Sequence, residues 1–207
     1  RDCLLSRGLG DVYKRQDMLL FDCGDISQGT PYYNMFQGEV EVKMMNEMKY
    51  DAMTIGNHEF DFDLDNMARL FRMADFPVVC ANYDVSATVL KDLVKPYVVF
   101  ERDGVKIGVL GLGCQLEGMV QANKCVGVVY NDPVTVANEV AAVLKEKEGC
   151  DVVVCLSHLG VQYDENQLIP KTRNIDVVLG GHSHTFMKGP KTPVSYTHLT
   201  LPTICSV

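Results

Sequence analysis

The chain has 207 residues, of which 47% are hydrophobic and 22% charged, and its formal net charge at pH 7 is −8. That length allows one α/β domain with a full core, and the composition is that of an ordinary globular protein. The acidic balance argues against a nucleic-acid-binding surface, because phosphate backbones are bound by basic patches. No apolar run approaches the roughly 20 residues of a membrane-spanning helix. An acidic protein that handles phosphate groups would need metal cations to do so.

The eight cysteines are scattered and indicate neither a zinc-finger site nor a disulfide framework. No two of them form a Cys-x-x-Cys pair, the spacing that structural zinc sites use. Several lie in or beside apolar runs, namely Cys23, Cys80, Cys114 and Cys155. We therefore expect most of the cysteines to be small buried hydrophobes.

The two ends of the chain differ from the rest. Residues 1–16 and 194–207 have no stable hydrophobic period and resemble translated adaptor sequence rather than evolved protein. We expect both to be non-native flanks and place a single domain in residues 17–193.

Within the domain, apolar strand-like segments alternate with amphipathic helical ones. Strands are predicted at 18–23, 51–55, 76–81, 151–156 and 175–179, and helices at 39–50, 64–71 and 133–147. Asp103-Gly104 between two apolar runs predicts a hairpin of residues 97–101 and 105–110. Buried, β-branched strands that alternate with helices form parallel sheets. We therefore predict an α/β fold with mixed, mostly parallel β-sheets packed face to face and flanked by helices.

Four of the apolar runs end on Gly or Ser and are followed directly by a residue with an acid, amide or imidazole side chain. The four segments are Gly24-Asp25, Gly56-Asn57-His58-Glu59-Phe60-Asp61, Ser157-His158 and Gly181-His182-Ser183-His184. Taken singly, each polar residue could equally be a turn former, a helix cap or a half-buried histidine. Strand ends are where α/β folds place their chemistry, so the repeated pattern predicts a shared site of oxygen and nitrogen metal ligands.

His182 and His184 form the sharpest pair of ligands. Residues two apart in an extended segment project to the same side, so both rings are expected to reach one centre. Together with His158, Asn57 and Asp25 they make five ligands, which exceeds the four of a tetrahedral zinc ion. Five ligands fit two metal ions about 3.5–4 Å apart, with the Asp25 carboxylate as the bridge.

In their order along the chain, these segments resemble the signature blocks of the calcineurin-like metallophosphoesterases. The extension Glu59-Phe60-Asp61 and the context Gln28-Gly29-Thr30 are similar, more narrowly, to the 5′-nucleotidase branch of that superfamily. The resemblance covers residues 17–193. It implies a hydrolase of phosphomonoesters, with nucleoside 5′-monophosphates as substrates and two divalent metal ions (zinc, manganese or iron) as cofactors.

The resemblance also implies a role for each ligand. Asp25 would bridge both metal ions, and His184 would bind the first ion. Asn57, His158 and His182 would bind the second.

The catalytic residues are implied in the same way. His58 would not be a ligand but would approach the scissile phosphate and, as an imidazolium, stabilise or protonate the leaving oxygen. Asp61 would orient His58 and favour its charged form. Asn82, which follows a strand of its own, would contact the substrate; the alternative is a turn residue.

One block of the superfamily pattern is absent, because no Asp-x-His precedes the Gly24-Asp25 block. The first metal ion would then keep only Asp25 and His184 as protein ligands. We expect the chain to be a catalytic domain truncated at both ends, without the C-terminal nucleotide-recognition domain of typical 5′-nucleotidases. The resemblance also points to a periplasmic or extracellular location.

Two other functions fit the same residues. The first is a metal-binding domain without catalysis, in which the missing block is native. The second is another phosphoesterase, such as a nucleotide-sugar hydrolase or a cyclic-nucleotide phosphodiesterase.

Overall fold

The computed structural model describes residues 18–26, 28–29, 31–187 and 191, together with the backbone of residues 199–201. The strands are β1 (Phe21–Asp22), β2 (Ala52–Met53), β3 (Val78–Val79), β4 (Tyr83–Asp84), β5 (Val94–Lys95), β6 (Tyr97–Arg102), β7 (Val105–Leu112), β8 (Val129–Tyr130), β9 (Val152–Ser157), β10 (Val177–Gly180) and β11 (Leu199–Leu201). The longer helices are α1 (Pro31–Phe36), α2 (Glu39–Glu47), α3 (Leu64–Met73) and α4 (Pro133–Glu146).

The strands form two main sheets. The first is parallel throughout, with the order β1-β2-β3-β5, and the second has the order β11-β10-β9-β7-β6. In the second sheet only β6 and β7 pair antiparallel, as the hairpin around Asp103-Gly104 that the sequence predicts. A separate antiparallel pair joins β4 to β8. The predicted mixed, mostly parallel architecture is confirmed.

The two sheets pack face to face through small and branched side chains. Ala52 and Val79 of the first sheet contact Val109, Val154 and Leu156 of the second, and all five are buried. Branched residues suit this position because they cover a pleated surface without needing polar partners.

Helices cover the outer face of each sheet. The apolar stripe of α3, which includes Met67 and Leu70, packs on the first sheet near Met53. On the other side, α4 buries Ala137 and Leu144 against the second sheet. The result is four layers, helix–sheet–sheet–helix, with the strand ends of both sheets left open at one edge.

Local signals explain where the helices start. The Asp63 side chain accepts a hydrogen bond from the Asn66 amide at 2.7 Å and caps α3. Asp132 does the same for α4 through Thr135 at 2.8 Å, and Pro133 follows in the first turn. Residues 161–171 form a less regular helical stretch, of which Asp164–Leu168 is π-helical.

Two details differ from the sequence predictions. The strands of the first sheet are only two residues long, although the bonds Asp51 N to Leu20 O and Thr54 N to Asp22 O continue the pairing beyond β1 and β2. In addition, β11 lies inside the predicted C-terminal flank and pairs parallel to β10, which the sequence did not indicate. Residues 1–17 and most of 192–207 lie outside the described residues, so the proposed domain bounds stay a prediction.

Among the described residues, no helix combines the length and the apolar character that crossing a membrane requires. Among the described cysteines, Cys80, Cys114, Cys125, Cys150 and Cys155 are free thiols, and all of these except Cys125 are buried.

Candidate metal and catalytic centre

The site lies where the strand ends of the two sheets meet. In the first sheet, β1 leads to Asp25 and β2 leads to the turn that carries Asn57 and His58. In the second sheet, β9 ends directly before His158. Asp25 Oδ2 and His158 Nε2 lie 2.9 Å apart. Residues far apart in the sequence therefore share one centre, as the strand-end pattern predicts.

Further ligand-type side chains surround this pair. The ligand atoms of Cys114, His158 and His182 all lie within 4.8 Å of one another, and the Cys114 Sγ lies 3.8 Å from Asn57 Oδ1. We call Asp25, Asn57, Cys114, His158 and His182 the buried cluster. Four of these five side chains are predicted ligands that the fold brings together. Cys114 is the fifth, and no motif in the sequence pointed to it.

His158 presents an unpaired ring nitrogen to the buried cluster. Its Nδ1 lies 2.5 Å from the carbonyl oxygen of Cys23, which only accepts hydrogen bonds, so Nδ1 carries the ring proton. In the neutral ring, Nε2 then carries a lone pair that faces the Asp25 carboxylate. Nε2 has no hydrogen-bond partner, although the His158 side chain is only 1% exposed. Two acceptors at this distance repel unless a proton or a metal cation joins them.

The residues present fit a divalent metal ion at this place. Imidazole nitrogen, carboxylate oxygen and amide oxygen are the donors that zinc, manganese and iron accept. A backbone carbonyl on Nδ1 is also a usual partner of a metal-binding histidine. Burial by itself lowers the pKa of His158, but the effect of the adjacent Asp25 carboxylate outweighs it, so the pKa is raised. The site thus attracts positive charge at Nε2.

The backbone is held in an unusual conformation at three predicted ligands. Asp25, His182 and His184 have φ angles of 65°, 69° and 50°, in the left-handed region that non-glycine residues seldom adopt. Such conformations cost about 1–3 kcal/mol each and cluster at functional sites. Burial, assisted by the neighbouring His158, lowers the pKa of His182 and favours its neutral, metal-binding form.

Glu59 holds the Asp25 loop in this conformation. One of its carboxylate oxygens accepts the Asp25 and Gly56 amides at 2.9 and 2.6 Å, and the other accepts the Ile26 amide at 2.9 Å. The side chain is buried, and burial with the nearby charge of Asp25 raises its pKa to about 7. In the sequence, Glu59 stands out only as part of a motif. That motif was the one sequence signal that Glu59 holds the Asp25 loop.

Gly56 permits the close approach of the two sheets. A Cβ atom at this position would lie 2.7 Å from His158 Nε2 and would also collide with the Asp25 carboxylate. A side chain there would displace two residues of the buried cluster, so only glycine fits.

His58 and Asp61 form a second, more open part of the site, which we call the dyad. His58 Nδ1 lies 3.0 and 3.1 Å from the two Asp61 carboxylate oxygens, across a short 3₁₀ turn. The His58 amide donates to Asp25 Oδ1 at 2.8 Å, which ties the dyad to the buried cluster. The pairing of His58 with Asp61 agrees with the predicted orientation, and the His58 ring is not one of the clustered ligand groups found among the described residues.

An open cavity of about 470 Å³ adjoins the dyad. Its lining consists of Gln28, Gly29, Pro31, Tyr33, Asn34 and Asp61. Since Asp61 belongs to both, the cavity gives a solvent-accessible volume directly beside the dyad.

The geometry expected for the histidine pair is wrong. The segment after β10 is not extended, because His182 and His184 both have left-handed backbone conformations. His182 joins the buried cluster, whereas His184 is exposed and lies outside the closely spaced ligand groups of the described part of the chain. Its role as a ligand of the first metal ion stays a prediction.

Asn82 contacts the backbone of Gly113 through its side chain. Its side chain is fully buried, donating to the carbonyl oxygen of Gly113 and accepting from the amide of Gly113, both at 2.8 Å. These contacts engage both ends of the amide, and its role as a substrate contact stays a prediction. Asn82 instead fixes the residue that precedes Cys114.

Comparisons with known proteins bear on the identity of this site. Residues 5–186 match the family described as calcineurin-like phosphoesterase. The chain belongs to that family. Its members are divalent-metal-dependent hydrolases, so the predicted resemblance and enzyme class are confirmed.

The relatives are longer proteins. The chain is 33% identical over 201 residues to the trifunctional nucleotide phosphoesterase protein YfkN of Bacillus subtilis, covering 82% of this chain and 14% of that protein. It is 34% identical over 188 residues to the 5′-nucleotidase of Vibrio cholerae, covering 84% of this chain and 34% of that protein. The crystal structure of a 5′-nucleotidase precursor from Thermus thermophilus aligns with a TM-score of 0.81 and 31% identity, over 93% of this chain and 41% of that one.

Proposed function

We propose that this family member hydrolyses phosphomonoesters, with nucleoside 5′-monophosphates as its substrate class. The observation that carries the proposal is the position of Asp25. Its Oδ2 faces the unpaired Nε2 of His158, and its Oδ1 accepts from the amide of His58. One carboxylate thus links a set of metal-ligand side chains to a histidine beside an open cavity.

Two divalent metal ions are part of the proposal. Asp25, Asn57, His158 and His182 would hold one ion, and Asp25 with His184 would hold the other. When bound, such ions neutralise phosphate charge and supply a nucleophile at neutral pH. They would also offset the repulsion between a phosphate and a chain whose net charge is −8.

His58 supplies the proton chemistry. Its Nδ1 is engaged by the Asp61 carboxylate, so Nδ1 keeps a proton and the ring is held in one orientation. Nε2 is then the nitrogen that donates to the leaving oxygen when the ring is charged. General acids placed in this way contribute about 10²–10⁴-fold to the rate.

The substrate class is supported by the relatives and by the open cavity. The proteins named above are 5′-nucleotidases and a nucleotide phosphoesterase, and the volume beside Asp61 could take the organic part of a phosphomonoester. The chain spans about a third or less of the length of the two curated relatives. The preference for nucleosides is therefore proposed from these relatives and not from contacts of the described residues.

A second candidate function is a broader nucleotide phosphoesterase. The Bacillus subtilis relative is named a trifunctional nucleotide phosphoesterase, and the same site residues would serve diesters and sugar nucleotides. A domain that binds metal without catalysis is the third alternative.

Activity measurements separate these functions. The purified chain, loaded in turn with zinc, manganese and iron, is assayed for hydrolysis of AMP, a cyclic nucleotide, a nucleotide sugar and p-nitrophenyl phosphate. Hydrolysis of AMP and p-nitrophenyl phosphate above the other two supports the proposal. Hydrolysis only of the diester or the sugar nucleotide favours the second function. Tight metal binding with no hydrolysis of any substrate contradicts catalysis by this chain.

A further inference from the structure

Cys114 lies in the metal site although neither its position in the sequence nor the predicted ligand set points there. It follows β7 by two residues and is only 4% exposed. Its Sγ belongs to the group whose ligand atoms lie within 4.8 Å of those of His158 and His182. The thiol also lies 3.8 Å from Asn57 Oδ1, which is long for a hydrogen bond.

The backbone at Cys114 is fixed by buried polar contacts. Asn82 binds both the amide and the carbonyl of Gly113, and the Tyr83 hydroxyl donates to the Cys114 carbonyl at 2.5 Å. Gly113 leaves room for the Tyr83 ring, because a Cβ there would collide with it. These contacts fix the place from which the Cys114 side chain reaches the buried cluster.

The spacing fits ligands of a single ion. Zinc binds sulfur at about 2.3 Å and oxygen or nitrogen at about 2.0–2.2 Å, so a sulfur and an oxygen ligand stand at most about 4.5 Å apart. The 3.8 Å between Cys114 Sγ and Asn57 Oδ1 lies inside this limit.

A second observation points to a ligand at the same place. His158 Nε2 is buried, has no hydrogen-bond partner and lies in the same group of atoms as Cys114 Sγ. It faces the Asp25 carboxylate at 2.9 Å, a group that also needs a cation. The thiol and the two imidazoles are therefore close enough to share one cation, which would also offset the charge of the Asp25 carboxylate beside His158.

We propose that Cys114 is a thiolate ligand of the metal ion held by His158 and His182, and that it makes this position selective for zinc over manganese. The inference rests on the metal site of the proposed function and adds a ligand to it. On binding, the thiol proton is released to solvent and the S–metal bond replaces the S–H bond. Thiolate favours zinc, whereas manganese prefers oxygen ligands.

Cobalt(II) is the probe that tests this ligand. The purified chain is titrated with Co²⁺ under anaerobic conditions, and absorption is recorded in the visible and near-ultraviolet ranges. Visible d–d bands report binding of cobalt at the site. A near-ultraviolet charge-transfer band reports a thiolate ligand, and we expect both in the native chain. In Cys114→Ser the visible bands should remain while the charge-transfer band disappears.

Metal selectivity gives a second readout. In competition dialysis, the ratio of zinc to manganese affinity should fall at least about tenfold in Cys114→Ser, the lower end of the loss seen when support of a metal site is removed. Cys125→Ser is the matched control, because Cys125 is a free thiol outside the buried cluster and should leave both spectrum and ratio unchanged.

The outcomes distinguish this inference from the function on which it rests. Visible bands without charge transfer in the native chain overturn the Cys114 ligand but keep the metal site. A charge-transfer band that survives in Cys114→Ser, with folding checked by circular dichroism, overturns it as well. If native protein binds no cobalt at all, both the ligand and the proposed metal site are wrong.

Discussion

The two parts of the site differ in how far water reaches them. In the buried cluster the His158 side chain is 1% exposed, whereas in the dyad His58 is 28% and Asp61 34% exposed. Low water access strengthens electrostatic interactions and suits groups that hold a charge in place. The open dyad can instead exchange protons and admit a substrate. Asp25 contacts both parts, so changes on either side of it should have separable effects.

The largest expected effect comes from removing the shared residue. Asp25→Ala deletes the carboxylate that faces His158 and the acceptor of the His58 amide. We expect metal binding and phosphoester hydrolysis to be lost together, measured by metal analysis after dialysis and by phosphate release. Activity that survives without bound metal would contradict the shared role of Asp25.

Changing the dyad alone should lower phosphoester hydrolysis without lowering metal binding. His58→Ala should lower kcat on p-nitrophenyl phosphate about 10²–10⁴-fold, because it removes a general acid, while the metal content stays that of the unchanged protein. Metal loss in this variant would show that His58 is a ligand after all. Asp61→Asn, which keeps the shape of the pair, should lower kcat less than His58→Ala does.

The third largest effect is expected from removing Glu59, which holds the Asp25 loop in place. Glu59→Ala leaves three amides, those of Asp25, Ile26 and Gly56, without their acceptor. Each buried amide left unpaired costs about 1–3 kcal/mol, and loss of such support lowers metal affinity about 10–100-fold. Urea unfolding and metal titration measure the two effects. Glu59→Gln retains one carbonyl oxygen as acceptor and should fall between the native protein and Glu59→Ala.

The features that could be predicted from the sequence are those set by neighbouring residues or by the common edge of parallel strands. Local signals were sufficient for the strands β1, β2, β3, β9 and β10, the hairpin at Asp103-Gly104 and the capped helix that starts at Pro133, because each depends on neighbouring residues. The convergence of Asp25, His158 and His182 was predictable because parallel strands present their carboxyl ends at one edge. The dyad was predictable because His58 and Asp61 are close in the sequence and belong to one motif.

The missed features depend on contacts between distant segments. Glu59 acts on amides 33 and 34 positions away, and Asn82 binds Gly113 across 31 positions. Cys114 was predicted to be a core residue because it follows an apolar run in the sequence. Such a run does not reveal whether the thiol lies beside a metal ion. The left-handed conformations of His182 and His184 were missed because the segment after β10 was predicted to be extended.

The smallest expected effect tests a buried acid behind the cluster. Asp164 is fully buried next to Ser157, whose hydroxyl donates to it at 2.6 Å, and its second oxygen has no hydrogen-bond partner. Burial raises the pKa of Asp164 from 3.8 to about 7. A raised pKa means that the folded state holds a proton the unfolded state has lost, so the stability is fully present below about pH 4 and declines as the pH rises to about 7.

Asp164→Asn removes this ionisation and should therefore stabilise the protein more at pH 8 than at pH 5. The gain at pH 8 is at most about 4 kcal/mol, since each pKa unit corresponds to about 1.36 kcal/mol. Urea unfolding at the two pH values measures it, with Glu146→Gln on the exposed face of α4 as a control that should show no such gain. Asp22 and Glu59, whose pKa values burial raises to about 6 and about 7, act in the same direction, so the decline should be reduced in Asp164→Asn but not abolished. An equal gain at both pH values would mean that folding does not raise the pKa of Asp164, so that the acid is ionised in the folded protein at pH 5 as well as at pH 8.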